Sequence, residues 1–246
     1  MFAKMDLHMC NLYTHKLSRD EVRHLIGHYK LIGQQWSEVF EKEASTLNSS
    51  GDVYPKYPAP VVVVEDGKQT LDHPKWGMPG PIIPGEKSMR PKFITNVRNT
   101  ASRHWTPWLA GSEVVVGKDK NRGGRCLVPA AAFAEPDENT SKPVIFRWFK
   151  RADALPFFFA GVWREWTGDH GTIKEPNVAK HRLFAFLTTN VCEDVKPYHQ
   201  KATPLILRTA EDVQHWLHGT MMEALELQKP APEKSLVVFD KKKDAA

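Results

Sequence analysis

Two apolar runs constrain the fold most. Pro156-Phe157-Phe158-Phe159-Ala160-Gly161-Val162-Trp163 and Leu183-Phe184-Ala185-Phe186-Leu187 offer no polar residue at alternate positions. A strand with one wetted face alternates apolar and polar, so these runs belong to strands buried on both faces, at the centre of a sheet. Val61-Val62-Val63-Val64, followed by the turn residues Glu65-Asp66-Gly67, reads the same way. Further strands are expected at 125–134, 143–150, 156–166, 181–190 and 236–240. Ser18-Arg19-Asp20-Glu21 is a capping box, and Val22, Leu25, Ile26, Tyr29 and Ile32 follow at helical spacing, giving a helix to about Gly33. Thr209-Ala210-Glu211-Asp212 opens a second helix with Val213, Trp216 and Leu217 on one face. Many strands with helices early and late give an α+β single domain. The expected architecture is a curved, barrel-like, mostly antiparallel sheet with flanking helices.

The bulk numbers fit that picture. The chain has 246 residues, 41% hydrophobic and 26% charged, which is enough to bury a sizeable core. Three cysteines without a CxxC or CxxH spacing argue against a disulfide framework and a structural zinc site, and fit a reducing cytoplasm. No stretch approaches the roughly 18 apolar residues of a membrane span. A net charge of +5 is compatible with an acidic polymer as partner. Residues 1–9 lack the apolar centre of a signal peptide and read as a leader or a misassigned start, because Met5 and Met9 are both possible initiators. Residues 10–240 then form the domain, and 241–246 a charged tail. Residues 74–91 carry five prolines and three glycines around Trp76, Met78, Ile82 and Ile83, the pattern of an ordered binding loop.

Four polar residues invite a chemical reading. Cys10 directly follows Met9, so a start or a cut after Met9 would leave a cysteine with both a thiol and a free α-amine. An amine with an ordinary value near pKa 8 is partly neutral in cells, and the thiol is intrinsically nucleophilic. Such a pair condenses with an aldehyde, the amine forming a Schiff base and the thiol closing a five-membered thiazolidine. The bland alternative is a small buried hydrophobe, the reading also given to Cys126 and Cys192. Asn96 and Arg98, two residues apart, would share one face of a strand and suit a carbonyl and a phosphate. Arg90, Arg103 and nearby tryptophans interleave cation and ring, as single-stranded nucleic acid requires. Glu135 ends an apolar strand, where burial would raise its pKa toward proton-transfer range. His199 supplies an imidazole in a loop after Pro197-Tyr198.

Met9-Cys10, Asn96-Val97-Arg98, Arg125-Cys126-Leu127-Val128-Pro129-Ala130 with Glu135, and Thr188-Thr189-Asn190 with His199 and Pro204-Leu205-Ile206-Leu207 together resemble the SOS response-associated peptidase (SRAP) family, the abasic-site processing proteins. The resemblance spans Met9 to about Asp240. The chain departs from many relatives at Asn11-Leu12 after the cysteine, at Asn99-Thr100, at Pro136 after the glutamate and at Gln200 to Pro204 after the histidine. The resemblance implies a sensor of abasic sites in single-stranded DNA, with Cys10 forming a covalent crosslink. Asn96 would position the sugar, Glu135 would orient or deprotonate the amine, and His199 would protonate the sugar oxygen. Arg98, Arg103 and Arg90 would hold flanking phosphates, and Trp76 would support a stacking wedge. Self-cleavage after Met9 and an abasic-site lyase activity are further implications. No cofactor or metal is expected, and the chain is expected to be a cytoplasmic monomer of bacterial or phage origin, nucleoid-associated when on DNA. Two other classes stay open on the residues alone: a cysteine hydrolase using Cys10 and His199, and a single-strand-binding module without chemistry.

Overall fold

The computed structural model describes residues 10–16, 25, 27–29, 51–81, 91–118 and 120–241. The expected leader 1–9, the Ser18 capping box, the loop residues 48–50, Ile82, Ile83, Arg90 and the last five residues of the tail lie outside the described residues.

Two open sheets carry the fold. The larger is built on β3 (Val61–Glu65), β4 (Lys68–Asp72), β10 (Asn121–Ala130), β13 (Phe157–Asp169), β14 (Val178–Thr189) and β15 (Thr203–Pro204). These lie in the spatial order β15-β14-β13-β10-β3-β4. Short strands join it: β9 (Val114–Val116) on β10, β16 (Ile206–Leu207) on β13, and β5 (Lys75–Trp76) and β8 (Asn96–Val97) on β14. The smaller sheet runs β17-β12-β11-β1-β2, from Leu236–Phe239, Phe146–Arg151, Ala132–Pro136, Leu12–Thr14 and Asp52–Val53. The ladders are antiparallel except for β5 and β8, which run parallel to β14. A third, two-stranded ladder joins β6 (Met78–Pro79) of the proline-rich stretch to β7 (Phe93–Ile94) just beyond it. The expected single domain on a mostly antiparallel sheet is what the chain forms; neither large sheet closes on itself among the described residues, so barrel-like fits it only loosely. The expected strand 125–134 divides at Ala131, where the chain leaves the larger sheet for the smaller and the Ala131 N–H donates to the Thr14 carbonyl.

The uninterrupted apolar runs are explained by two cores, one on each face of the larger sheet. Alternate residues of each strand go to opposite sides. Phe158, Ala160 and Val162, with Leu183, Ala185 and Leu187, face one core. There they meet helix α1 (Thr106–Leu109) through Trp108 and Leu109, and helix α2 (Ala210–His218) through Val213, Trp216 and Leu217. Phe157, Phe159, Trp163, Phe184 and Phe186 face the other core, closed by Tyr13, Phe133 and Phe149 of the smaller sheet. Thr209 caps α2 with Asp212 completing the box. A third helix, α3 (Met221–Glu226), repeats the device with Thr220 and Glu223, and its short length gives little apolar periodicity. Leu25 and Tyr29 of the early helical segment are buried, and the Tyr29 hydroxyl donates to the Leu207 carbonyl at 3.2 Å.

Phe186 sits at the middle of the second core. Its ring stacks on Phe159 at 4.6 Å and on Trp76 at 5.1 Å, and Tyr13 meets it edge-on at 6.0 Å. Its backbone registers with Asn96. Phe186→Ala is predicted to cost about 3–5 kcal/mol of folding stability. Guanidinium unfolding checks this; a loss below about 1 kcal/mol would show that the core collapses around the gap.

Candidate functional site

Strand pairing assembles the site. β1 runs antiparallel to β11 with Leu12 opposite Ala134, Tyr13 opposite Phe133 and Thr14 opposite Ala132. Continuing that register two residues toward the N-terminus brings Cys10 alongside Glu135 and Pro136. From the other sheet, β8 lies against β14 and turns Asn96 inward, where its Nδ2 donates to the Cys10 carbonyl at 2.7 Å. The same Nδ2 lies 2.9 Å from Thr95 Oγ1, which donates to Asn11 Oδ1 at 3.1 Å. His199 ends a run of tight turns at 192–199, closed by its own N–H on the Val195 carbonyl. Its Nε2 is 3.7 Å from Glu135 Oε2, and its Nδ1 is 3.1 Å from Glu138 Oε1.

All four residues singled out for chemistry therefore meet in one place. They are almost wholly enclosed: Cys10 is 1% exposed, Asn96 3%, and Glu135 and His199 0%. Burial, and then the neighbouring Glu138 charge, push the Glu135 carboxyl well above its ordinary range, although contact with the Cys10 thiol works the other way. Burial and the Glu135 charge likewise push the Cys10 thiol up, so it rests as S–H. The thiol also lies 3.7 Å from the Leu12 carbonyl and 3.9 Å from that of Ala134. Among the described residues, Asn96 Oδ1 and both Glu135 carboxyl oxygens are buried acceptors with no N–H or O–H donor. No cluster of three or more His, Cys, Asp or Glu suited to a metal ion occurs among the described residues.

The residues expected to contact DNA behave less uniformly. Arg98 does not share a face with Asn96: it lies past the end of β8 and is exposed. Its guanidinium donates to the Lys201 carbonyl and, at 2.7 Å, to Asn190 Oδ1, tying the Asn96 segment to the loop after His199. Arg103 is exposed. Trp76 is 0% exposed, sandwiched among Tyr13, Phe184 and Phe186, so its ring offers no face to a base and the wedge expectation is corrected. Its indole N–H donates instead to the Thr95 carbonyl at 3.0 Å, one residue before Asn96. Cys126 and Cys192 are buried core residues. Sequence reasoning missed Thr95, Asn11 and Glu138. Of these only Glu138, an acid three residues after Glu135, left a trace that pattern reading could have used.

Burial of Glu135 has a cost that pH exposes. Its folded-state pKa lies above the ordinary 4.5, so the folded chain holds this proton more tightly than the unfolded chain. The favourable contribution is complete below about pH 4.5 and is lost as pH rises toward the folded-state value. Glu135→Gln removes that titration. The variant is predicted to melt above the wild type at neutral pH, with the gap closing as the pH falls to about 4. Thermal unfolding across that range checks it, and a wild-type advantage at neutral pH would contradict it.

The sequence model of the SOS response-associated peptidase (SRAP) family matches residues 9–244. Two structural-genomics crystal structures share the fold. A protein from Bordetella bronchiseptica superposes with a TM-score of 0.63 at 20% identity, covering 94% of this chain and 100% of its own. One from Bacteroides thetaiotaomicron gives 0.63 at 17% identity, covering 96% and 95%. No curated protein matches. No described helix is long and apolar enough to cross a membrane. The family match over nearly the whole chain and the site built from its spaced residues lead to one assignment: the chain belongs to the SRAP family.

Proposed function

We propose that this protein traps abasic sites in single-stranded DNA as a covalent thiazolidine at Cys10, once Cys10 carries a free α-amine. The observation that carries this reading is the gathering of Cys10, Asn96, Glu135 and His199 in one enclosed site, in which Asn96 Oδ1 is a buried acceptor without a donor. A buried acceptor without a donor costs about 1–3 kcal/mol, so Asn96 Oδ1 beside Cys10 calls for one. An α-amine at residue 10, released by translation from Met9 or by cleavage of the Met9–Cys10 bond, brings N–H groups to that position.

The reaction then proceeds by ordinary steps. The ring-closed sugar opens when the C1′–O4′ bond breaks; His199 gives a proton to O4′ and the C1′ hydroxyl gives up its own. The amine adds to the C1′ aldehyde and water leaves, forming a Schiff base. Glu135, which holds its proton at rest, gives it to the departing hydroxyl and takes one back from the nitrogen, a task suited to a carboxyl held above its ordinary range. The thiol sulfur then bonds to C1′ and its proton passes to the nitrogen, completing the ring. Asn96 fixes the Cys10 carbonyl and so the direction of both nucleophiles. From the Schiff base, β-elimination would give the lyase activity. Arg103, and Arg98 where it can leave its protein partners, would hold flanking phosphates in a salt-sensitive way.

The resting S–H of Cys10 favours this order over peptide hydrolysis, since cysteine hydrolases use a thiol whose pKa is lowered, not raised. The test is a denaturing-gel assay of protein beginning at Cys10 with single-stranded DNA bearing one abasic site. A heat-stable band is expected for wild type and none for Cys10→Ser. Glu135→Ala and His199→Ala are each expected to slow its formation about 10²–10⁴-fold. No band from protein that begins at Cys10, or unchanged rates in both variants, would reject the reading.

A further inference from the structure

The imidazole of His199 stands between two carboxyl groups, and only one of them belongs to the set the sequence brings together. On its Nε2 side is Glu135, enclosed with Cys10; on its Nδ1 side, at 3.1 Å, is Glu138, whose side chain is 35% exposed. We propose that Glu138 is a positioning residue for His199: paired with the imidazolium from its Nδ1 side, it leaves Nε2 as the nitrogen that exchanges protons with the reacting sugar, and connects the enclosed site to solvent. This rests on the crosslinking reading above for its reaction, though not for its geometry.

The backbone keeps Glu138 there. Its N–H donates to the Tyr198 carbonyl at 2.8 Å, and Asn139 Nδ2 donates to the Pro197 carbonyl at 2.8 Å, so the turn after β11 is clamped to the residues just before His199. Asp137 shapes that turn by accepting from the Asn139 N–H at 3.0 Å and from Arg147 Nε at 2.8 Å, while the Arg147 guanidinium lies over the Tyr198 ring. A carboxylate fixed against one ring nitrogen selects the tautomer and stabilises the imidazolium. The charged or titratable groups facing this unit among the described residues are Glu135 and, behind it, Cys10 from the strands, and Lys201, whose Nζ is 3.8 Å from Glu138 Oε1.

In the reaction, His199 becomes neutral at Nε2 when O4′ takes its proton. Nδ1–H stays on the ring beside Glu138, and the proton lost by the C1′ hydroxyl or by solvent restores Nε2, so the proton count balances. An uncharged partner at position 138 removes the stabilisation of the imidazolium.

The experiment has two arms. In the first, nitrogen NMR follows the His199 ring through pH in DNA-free protein beginning at Cys10. Glu138→Gln is expected to lower the titration midpoint by about one unit, and Glu138→Asp to restore much of it. An unchanged midpoint overturns the proposal. In the second, single-turnover crosslinking is followed against pH. Glu138→Gln is expected to slow the reaction about tenfold on the alkaline side and to recover toward acid, but to add nothing in a His199→Ala background. A uniform loss at every pH, or an additive loss in that background, also overturns it. Should the wild type form no crosslink at all, the proposed function fails, and the NMR arm still decides the pairing of Glu138 with His199.

Discussion

The hydrogen bond from Asn96 to the Cys10 carbonyl joins two sheets at the point where the chemistry gathers. Cys10 belongs to the smaller sheet through its continuation into β1, and Asn96 to the larger through β8 on β14. Neither strand has the length to place its residue by itself, β1 having three residues and β8 two. Each is held by what lies behind it. Tyr13 enters the aromatic core between the sheets, and the Trp76 indole fixes the Thr95 carbonyl from inside the same core. The packing of Phe159, Phe184 and Phe186 is therefore also what sets the distance between Cys10 on one sheet and Asn96 on the other.

That enclosure explains how one carboxyl and one thiol can be tuned together. Removing water raises Glu135, and Glu135 in turn raises Cys10, so both protons are retained at rest. A folded chain carries such a site at some loss of stability, and Asn96 Oδ1, a buried acceptor without a donor, adds to it. A buried acceptor left without a donor, such as Asn96 Oδ1, is expected where a bound group completes the hydrogen bonding.

Much of the fold was legible because burial on both faces leaves a plain mark on a strand: Phe157–Trp163 and Leu183–Leu187 are central, as their composition requires. The division at Ala131 was not legible, because a strand that passes from one sheet to another stays apolar across the break. The openness of the sheets depends on edge strands whose partners lie far away in sequence. At the site, Cys10, Asn96, Glu135 and His199 were singled out through spacing and family resemblance, and the fold brings them together. Trp76 was misread because an aromatic in a proline-rich loop looks exposed, and only the tertiary fold shows that β5 tucks it under Phe186. Glu138 was missed because its spacing from Glu135 is only a weak mark for an acid in a polar turn, and its proximity to His199 arises from the clamp between two loops distant in sequence.

The central claim is that residue 10 reacts through its own α-amine and thiol together. The most direct measurement is intact and peptide mass spectrometry of the protein after reaction with a single-stranded oligonucleotide carrying one abasic site. The account predicts a chain beginning at Cys10 that has gained the oligonucleotide less one water, with the adduct mapped to Cys10. A full-efficiency adduct on a chain that still carries Met9, or an adduct mapped to another residue, would contradict it.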